Sequence, residues 1–192
     1  MRIEGTAGAL EAHLERVDNP IGAAVLCHPH PQYGGSMHDM VLATAEQVLH
    51  RHNYDCLRFN FRGVGASEGR YAQGVGEVED VLAAASWLND QDPAPERLLL
   101  VGYSFGANMV SKAMSGINPS MAILIAPPNA VMDMAIPATT FPVCAIACAG
   151  DDYANLGALE GEHVSTHIIP GGDHFFGGKH GELAAHVEAC VG

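Results

Sequence analysis

Leu98-Leu99-Leu100-Val101-Gly102-Tyr103-Ser104-Phe105-Gly106-Ala107 is the stretch on which the reading of this chain turns. An apolar run, then Gly-x-Ser-x-Gly, then a segment with helical spacing is the pattern of a strand that turns through a serine straight into a helix, the nucleophile elbow. The reason for the glycines is steric. The serine sits at a strained backbone angle on a tight turn, and only residues without a Cβ let strand and helix approach closely on either side. Such a turn lifts the Ser104 hydroxyl above the sheet and aims the Phe105 N–H, with the helix N-terminus behind it, at the place where an oxyanion would form. Gly-x-Ser-x-Gly alone is weak in a chain with 22 glycines; its position between strand and helix gives it weight.

A serine hydroxyl is a poor nucleophile near neutral pH and needs a base within hydrogen-bond reach, which in turn needs an orienting carboxylate. On this elbow the order along the chain is serine, acid, histidine. Both partners are offered late. Phe141-Pro142-Val143-Cys144-Ala145-Ile146-Ala147-Cys148-Ala149 reads as a buried strand followed by Gly150-Asp151-Asp152-Tyr153, and Thr166-His167-Ile168-Ile169 leads into Pro170-Gly171-Gly172-Asp173-His174-Phe175-Phe176. Both candidates fall after strands, at the sheet edge where open parallel sheets place ligands. Of the eleven histidines, His174 is the expected base, because its loop of two preceding glycines and two following phenylalanines can hold an imidazole against an apolar wall. Asp151 and Asp152 are adjacent, and only one can face the ring. Asp152, further into the loop, is the expected acid, with Asp151 left to brace the turn after Gly150.

A second cluster lies early: Val25-Leu26-Cys27-His28-Pro29-His30-Pro31-Gln32-Tyr33-Gly34-Gly35-Ser36-Met37-His38. An apolar strand enters a loop stiffened by two prolines and loosened by two glycines, ahead of a helix that Ser36 could cap. The second oxyanion donor on this kind of site comes from the loop after an early strand. Pro29 and Pro31 have no N–H, so the expected donor is the His30 amide. His28, His30 and His38 could also be read as metal ligands. No carboxylate or cysteine completes that set, and no metal or cofactor is expected.

With these residues in view, the chain resembles compact bacterial α/β-hydrolases that lack a lid domain. The resemblance is carried by His28 to Met37, by Leu57-Arg58-Phe59-Asn60-Phe61-Arg62-Gly63-Val64-Gly65-Ala66-Ser67-Glu68-Gly69, by Gly102 to Ala107 and by Asp173 to Phe176, which together span nearly the whole chain. It implies a serine esterase-like site with Ser104 as nucleophile, His174 as base and the His30 and Phe105 amides as oxyanion donors. Members usually show Gly-Asp-x-Asp after the late strand, with the second Asp as acid. Tyr153 holds that place here, and a one-residue shift would make Asp152 the acid.

The 192 residues are expected to form one domain, 1–192, too short for a hydrolase sheet and a cap together. Alternating apolar strands and amphipathic helices point to an α/β class with a mostly parallel central sheet flanked by helices. Strands are expected near 10–17, 23–27, 55–61, 97–103, 121–125, 142–148 and 164–169, and helices near 36–52, 74–89, 105–115 and 181–190. The beginning of the chain lacks the apolar core of a signal peptide, and no stretch is long enough to span a membrane. Cys27, Cys56, Cys144 and Cys148 fall in or beside strands and read as buried thiols of a reducing, cytoplasmic setting. A net charge of −13 with nine Lys plus Arg argues against nucleic acid and anionic membranes as partners. Arg58 and Arg62 are expected to pair with carboxylates at the turn after their strand.

These readings converge on a cytoplasmic serine hydrolase, a carboxylesterase for small short-acyl esters, with thioesters and amides open as well. The rival is a non-catalytic protein of the same fold that binds a ligand or partner, since fold alone does not guarantee turnover.

Overall fold

A computed structural model describes residues 1–192, and an eight-stranded sheet runs through its centre. In chain order the strands are β1 (Arg2–Gly5), β2 (Gly8–Glu15), β3 (Gly22–Cys27), β4 (Tyr54–Phe59), β5 (Leu98–Tyr103), β6 (Met121–Ile125), β7 (Val143–Cys148) and β8 (Val164–Ile169). The helices are α1 (Met40–Arg51), α2 (Gly76–Asn89), α3 (Phe105–Ile117) and α4 (His180–Val191). Across the sheet the order is β1-β2-β4-β3-β5-β6-β7-β8. Pairing is antiparallel at β1–β2 and β2–β4 and parallel from β4 through to β8.

The apolar runs explain this layering. Strands β3, β5 and β7 are buried along their whole length, as expected where helices cover both faces. Along β5, Leu98 and Leu100 enter the core beneath α2 and α3, while Leu99, Val101 and Tyr103 enter the core beneath α1 and α4. Each fully buried Leu contributes about 2 kcal/mol, which offsets the roughly 1–2 kcal/mol that ordering its own backbone costs. β8 lies at the edge and leaves Thr166 and Ile168 exposed.

Chain direction across the sheet reverses at β3, which has β4 on one side and β5 on the other. That is the switch point at which open α/β sheets form their crevice, and the loops leaving β3 and β5 meet there. The 126–142 connection passes beside this crevice without a helix or strand, and no cap domain covers it.

Differences from the sequence reading have local causes. Strand β1 was not expected; it is a four-residue arm paired with β2 through a tight turn at Thr6-Ala7. Helix α1 starts at Met40 with Asp39 as its N-cap, the carboxylate accepting from the Val41 N–H at 2.8 Å. Residues 36–38, expected in the helix, are instead tied to β4 and its following loop. The Met37 N–H donates to Asn60 Oδ1 at 2.8 Å, and Arg58 reaches the Met37 carbonyl at 3.3 Å. Cys144 and Cys190 lie side by side and are joined as a disulfide with their Cα atoms 6.3 Å apart, where free thiols were expected. Cys27, Cys56 and Cys148 are free and buried.

The two arginines of the β4 segment pair as expected. Arg62 Nε lies 3.0 Å from both Asp80 oxygens and its Nη2 lies 2.7 Å from Oδ1, a two-pronged clasp on a fully buried carboxylate that pins the loop after β4 to α2. Arg58 Nε lies 2.7 Å from Glu46 on α1.

Candidate active site

Ser104 stands between β5 and α3 with φ 54° and ψ −119°, a backbone that a residue with a side chain adopts at a cost of about 1–3 kcal/mol. Its surroundings hold it there. The Ser104 N–H donates to the Ile125 carbonyl at 2.9 Å, and the Ser104 carbonyl accepts from Ala107 at 2.8 Å and Asn108 at 3.2 Å. A side chain at Gly102 would collide with the Gly106 carbonyl, and one at Gly106 with the Cys27 carbonyl. Both glycines are therefore required by close approach, and the second packs the start of α3 against the end of β3.

His174 reaches Ser104 from the loop after β8. Its Nε2 lies 2.8 Å from Ser104 Oγ, and its Nδ1 lies 2.9 Å from each carboxylate oxygen of Asp151. Two oxygens facing Nδ1 place the ring proton on that nitrogen and leave Nε2 as the acceptor for the serine hydroxyl. The carboxylate that meets the imidazole is thus Asp151, not Asp152, which is exposed. The cause is the turn that follows β7. The Asp151 N–H bonds back to the Cys148 carbonyl at 3.1 Å, which carries the first aspartate inward, and the Tyr153 N–H then donates to Asp151 Oδ1 at 2.9 Å. The bracing role expected of Asp151 and the acid role expected of Asp152 are not divided between them; Asp151 both shapes the turn and faces the ring.

The histidine loop is anchored at three points. Tyr103 donates its hydroxyl to the His174 carbonyl at 3.0 Å, and burial pushes the Tyr103 phenol pKa well above its ordinary value, keeping it a donor. Phe176, fully buried with φ 55°, packs against the Tyr103 ring. Tyr153 sets its ring against the imidazole at 4.7 Å between centroids. Neither tyrosine was given a role against the histidine from the sequence, where Tyr153 stood out only as the residue in the place of the usual second aspartate; a tyrosine directly before the elbow serine and another directly after the Asp pair were the available signals.

The β3 loop faces the elbow. Neither the His30 nor the Phe105 N–H has an acceptor within the protein. His30 caps the 3-10 turn Pro31–Tyr33: its Nδ1 accepts from the Gln32 N–H at 3.2 Å, and its Nε2 lies 3.1 Å from the Tyr71 hydroxyl. Its ring packs 4.9 Å from that of Phe105. His28 is fully buried behind it. Nδ1 donates to the Pro29 carbonyl at 2.6 Å, and Nε2 accepts from the Phe61 N–H at 3.0 Å. Burial lowers its pKa to about 4, so the ring is neutral and straps the β3 loop to the β4 loop. Both nitrogens of both imidazoles are engaged within the protein, so the His-x-His pair has no lone pair free for a metal.

These groups open into a cleft of about 630 Å³. Its walls include Tyr33, Val131, Met132, Tyr153 and Phe175, several of them exposed at the mouth. No helix of the chain is long and apolar enough to cross a membrane.

Comparison with known proteins agrees with this architecture. The family described as X-Pro dipeptidyl-peptidase (S15 family) matches residues 19–138. An uncharacterised protein of Rickettsia prowazekii is 34% identical over 203 residues, covering 95% of this chain and 84% of that protein. Among solved structures, XC6422 from Xanthomonas campestris, an α/β serine hydrolase without a lid, is 30% identical with a TM-score of 0.89 over 100% of this chain and 92% of its own. An α/β serine hydrolase homologue from Coxiella burnetii is 30% identical with a TM-score of 0.90, covering 98% of this chain and 95% of that one.

Proposed function

Because the chain belongs to the X-Pro dipeptidyl-peptidase (S15) family and has the lidless α/β serine hydrolase fold, we propose that it hydrolyses small, short-acyl carboxylic esters through an acyl-enzyme. One observation carries the proposal: the unbroken line Ser104 Oγ, His174 Nε2, His174 Nδ1, Asp151 carboxylate, every step at 2.8–2.9 Å.

In this mechanism His174 Nε2 takes the Ser104 proton as Oγ attacks the ester carbonyl, and Asp151 steadies the imidazolium. The developing oxyanion is held by the His30 and Phe105 N–H groups, with the N-terminus of α3 adding its positive end. The alcohol leaves with the proton from Nε2, and water repeats the cycle to release the acid. A donor of this kind is worth about 3–4 kcal/mol in the transition state.

An ester is favoured over a peptide because a dipeptidyl activity needs a carboxylate for the substrate's terminal ammonium. The one carboxylate lining the cleft, Asp39, is committed to capping α1, and burial raises its pKa. The open mouth, with no enclosed acyl tunnel, suits short acyl groups. No partner beyond a small ester is proposed; a cytoplasmic setting, in which the Cys144–Cys190 pair would be kept reduced, belongs to the same proposal. The ground for a non-catalytic reading was an acid loop out of register, and Asp151 supplies that acid.

The test is labelling with a fluorophosphonate, read by intact mass, beside hydrolysis of short p-nitrophenyl esters. One adduct per chain and turnover are expected for the natural sequence, and neither for Ser104→Ala. No adduct on the unaltered chain would transfer the assignment to a binding protein.

A further inference from the structure

The disulfide partners have company that a disulfide does not need. Cys144 is the second residue of β7, and His167 on β8 pairs in register with Ile146, so both side chains leave the same face of the sheet. Helix α4 crosses that face and presents His186 and Cys190, four residues apart and therefore on one side of the helix. The Cys144 Sγ, the Cys190 Sγ and a ring nitrogen of His167 all lie within 4.8 Å of one another, and the His186 ring sits 5.3 Å from that of His167. No carboxylate belongs to this group.

We propose that, with its two cysteines reduced, this cluster is a zinc site at the β7–β8–α4 edge, with Cys144, Cys190 and His167 as ligands and the fourth position facing His186. Two thiolates and an imidazole are the donor set that selects zinc over magnesium or calcium. Tetrahedral coordination with bonds of about 2.0–2.3 Å needs ligand atoms separated by about 3–4 Å, which small side-chain rotations from the observed cluster provide. A Cα separation of 6.3 Å also permits the disulfide, so the same sulfurs serve either state but never both together.

The exchange balances. A dithiol reductant delivers two electrons and two protons to the Cys144–Cys190 bond and becomes a disulfide itself. Zinc then binds as both thiols release their protons. The ion would clamp the last helix to the two strands that run on to Asp151 and His174. Cys144 lies near the start of β7, the end away from Ser104, and His167 lies mid-strand on β8.

The experiment uses the full chain, reduced and freed of metal, titrated with Co²⁺ as a spectroscopic probe and then with Zn²⁺ against a chromophoric chelator. Expected are one equivalent of cobalt with thiolate-to-metal charge transfer and tetrahedral bands, displaced stoichiometrically by zinc. Cys190→Ser and His167→Ala should each weaken zinc binding by more than about 100-fold, the most that loss of a merely supporting partner costs. Cys56→Ala, a thiol outside the cluster, should leave it unchanged. Cobalt binding without the charge-transfer band, or unaltered affinity in Cys190→Ser, would overturn the proposal. No readout involves ester hydrolysis, so failure here leaves the proposed activity standing.

Discussion

Acid should loosen this protein through His28, and the size of the effect follows from its surroundings. Neutral, the ring donates from Nδ1 to the Pro29 carbonyl and accepts at Nε2 from the Phe61 N–H. Protonated, it would turn a second N–H against the Phe61 N–H in a site shut off from solvent. Burial therefore lowers its pKa from 6.5 to about 4. The unfolded chain holds the proton more readily than the folded one, so stability rises with pH across this window. The contribution is complete above pH 6.5 and is lost as pH falls through the folded value. Between those pKa values the loss is about 1 kcal/mol at pH 6, about 2 at pH 5 and about 3 at pH 4. Urea denaturation from pH ~7.5 down to pH ~4, run beside His28→Gln, isolates this part. The variant is less stable at neutral pH, having lost the ring's packing on Phe61, but it cannot titrate. Its stability should decline less toward acid by about 2 kcal/mol at pH 5. Parallel pH curves for the two proteins would refute the reasoning, because the acid sensitivity would then lie elsewhere.

The two aspartates after β7 separate cleanly. Asp151→Asn should reduce kcat for a p-nitrophenyl ester by about 10⁴ because Nδ1 loses the acceptor that fixes its tautomer, whereas Asp152→Asn, in an exposed side chain, should stay within about twofold. Equal losses would mean that the loop rearranges in solution. Asp80→Asn breaks the clasp on Arg62 and leaves a buried guanidinium without its counter-charge, at a cost of about 3–5 kcal/mol in urea denaturation. A loss under about 1 kcal/mol would show that Glu79, 3.4 Å from Arg62 Nη2, can take over the charge.

What could be read in the sequence was whatever a short window contains. The runs Met121–Ile125 and Val164–Ile169 are strands with the expected limits, because apolar content and bounding turn residues are local properties. The glycines that shape the elbow were legible for the same reason. Asp151 was not. Two adjacent carboxylates look alike in a string, and the choice between them is made by the Asp151-to-Cys148 turn, which swings one side chain inward and the next out. The start of α1 was misplaced because Ser36 is an acceptable cap, and only tertiary bonds to Asn60 and Arg58 withhold its segment from the helix. Cys144 and Cys190 are 46 residues apart, one on a strand and one on the last helix, and nothing short of the folded topology brings them together.

The two amides proposed as oxyanion donors belong to the chain's backbone, and they follow neighbouring strands: Cys27 at the end of β3 is paired with Gly102 in β5. Sheet geometry sets the gap between the strand ends, while the His30 ring caps the Pro31–Tyr33 turn and the Phe105 ring packs into the core. In the proposed mechanism the donors are N–H groups, so any residue but proline at 30 or 105 would still carry one. On that proposal, a lineage with this scaffold can redecorate the mouth of the cleft, and so change what it accepts, while the backbone donors are inherited intact.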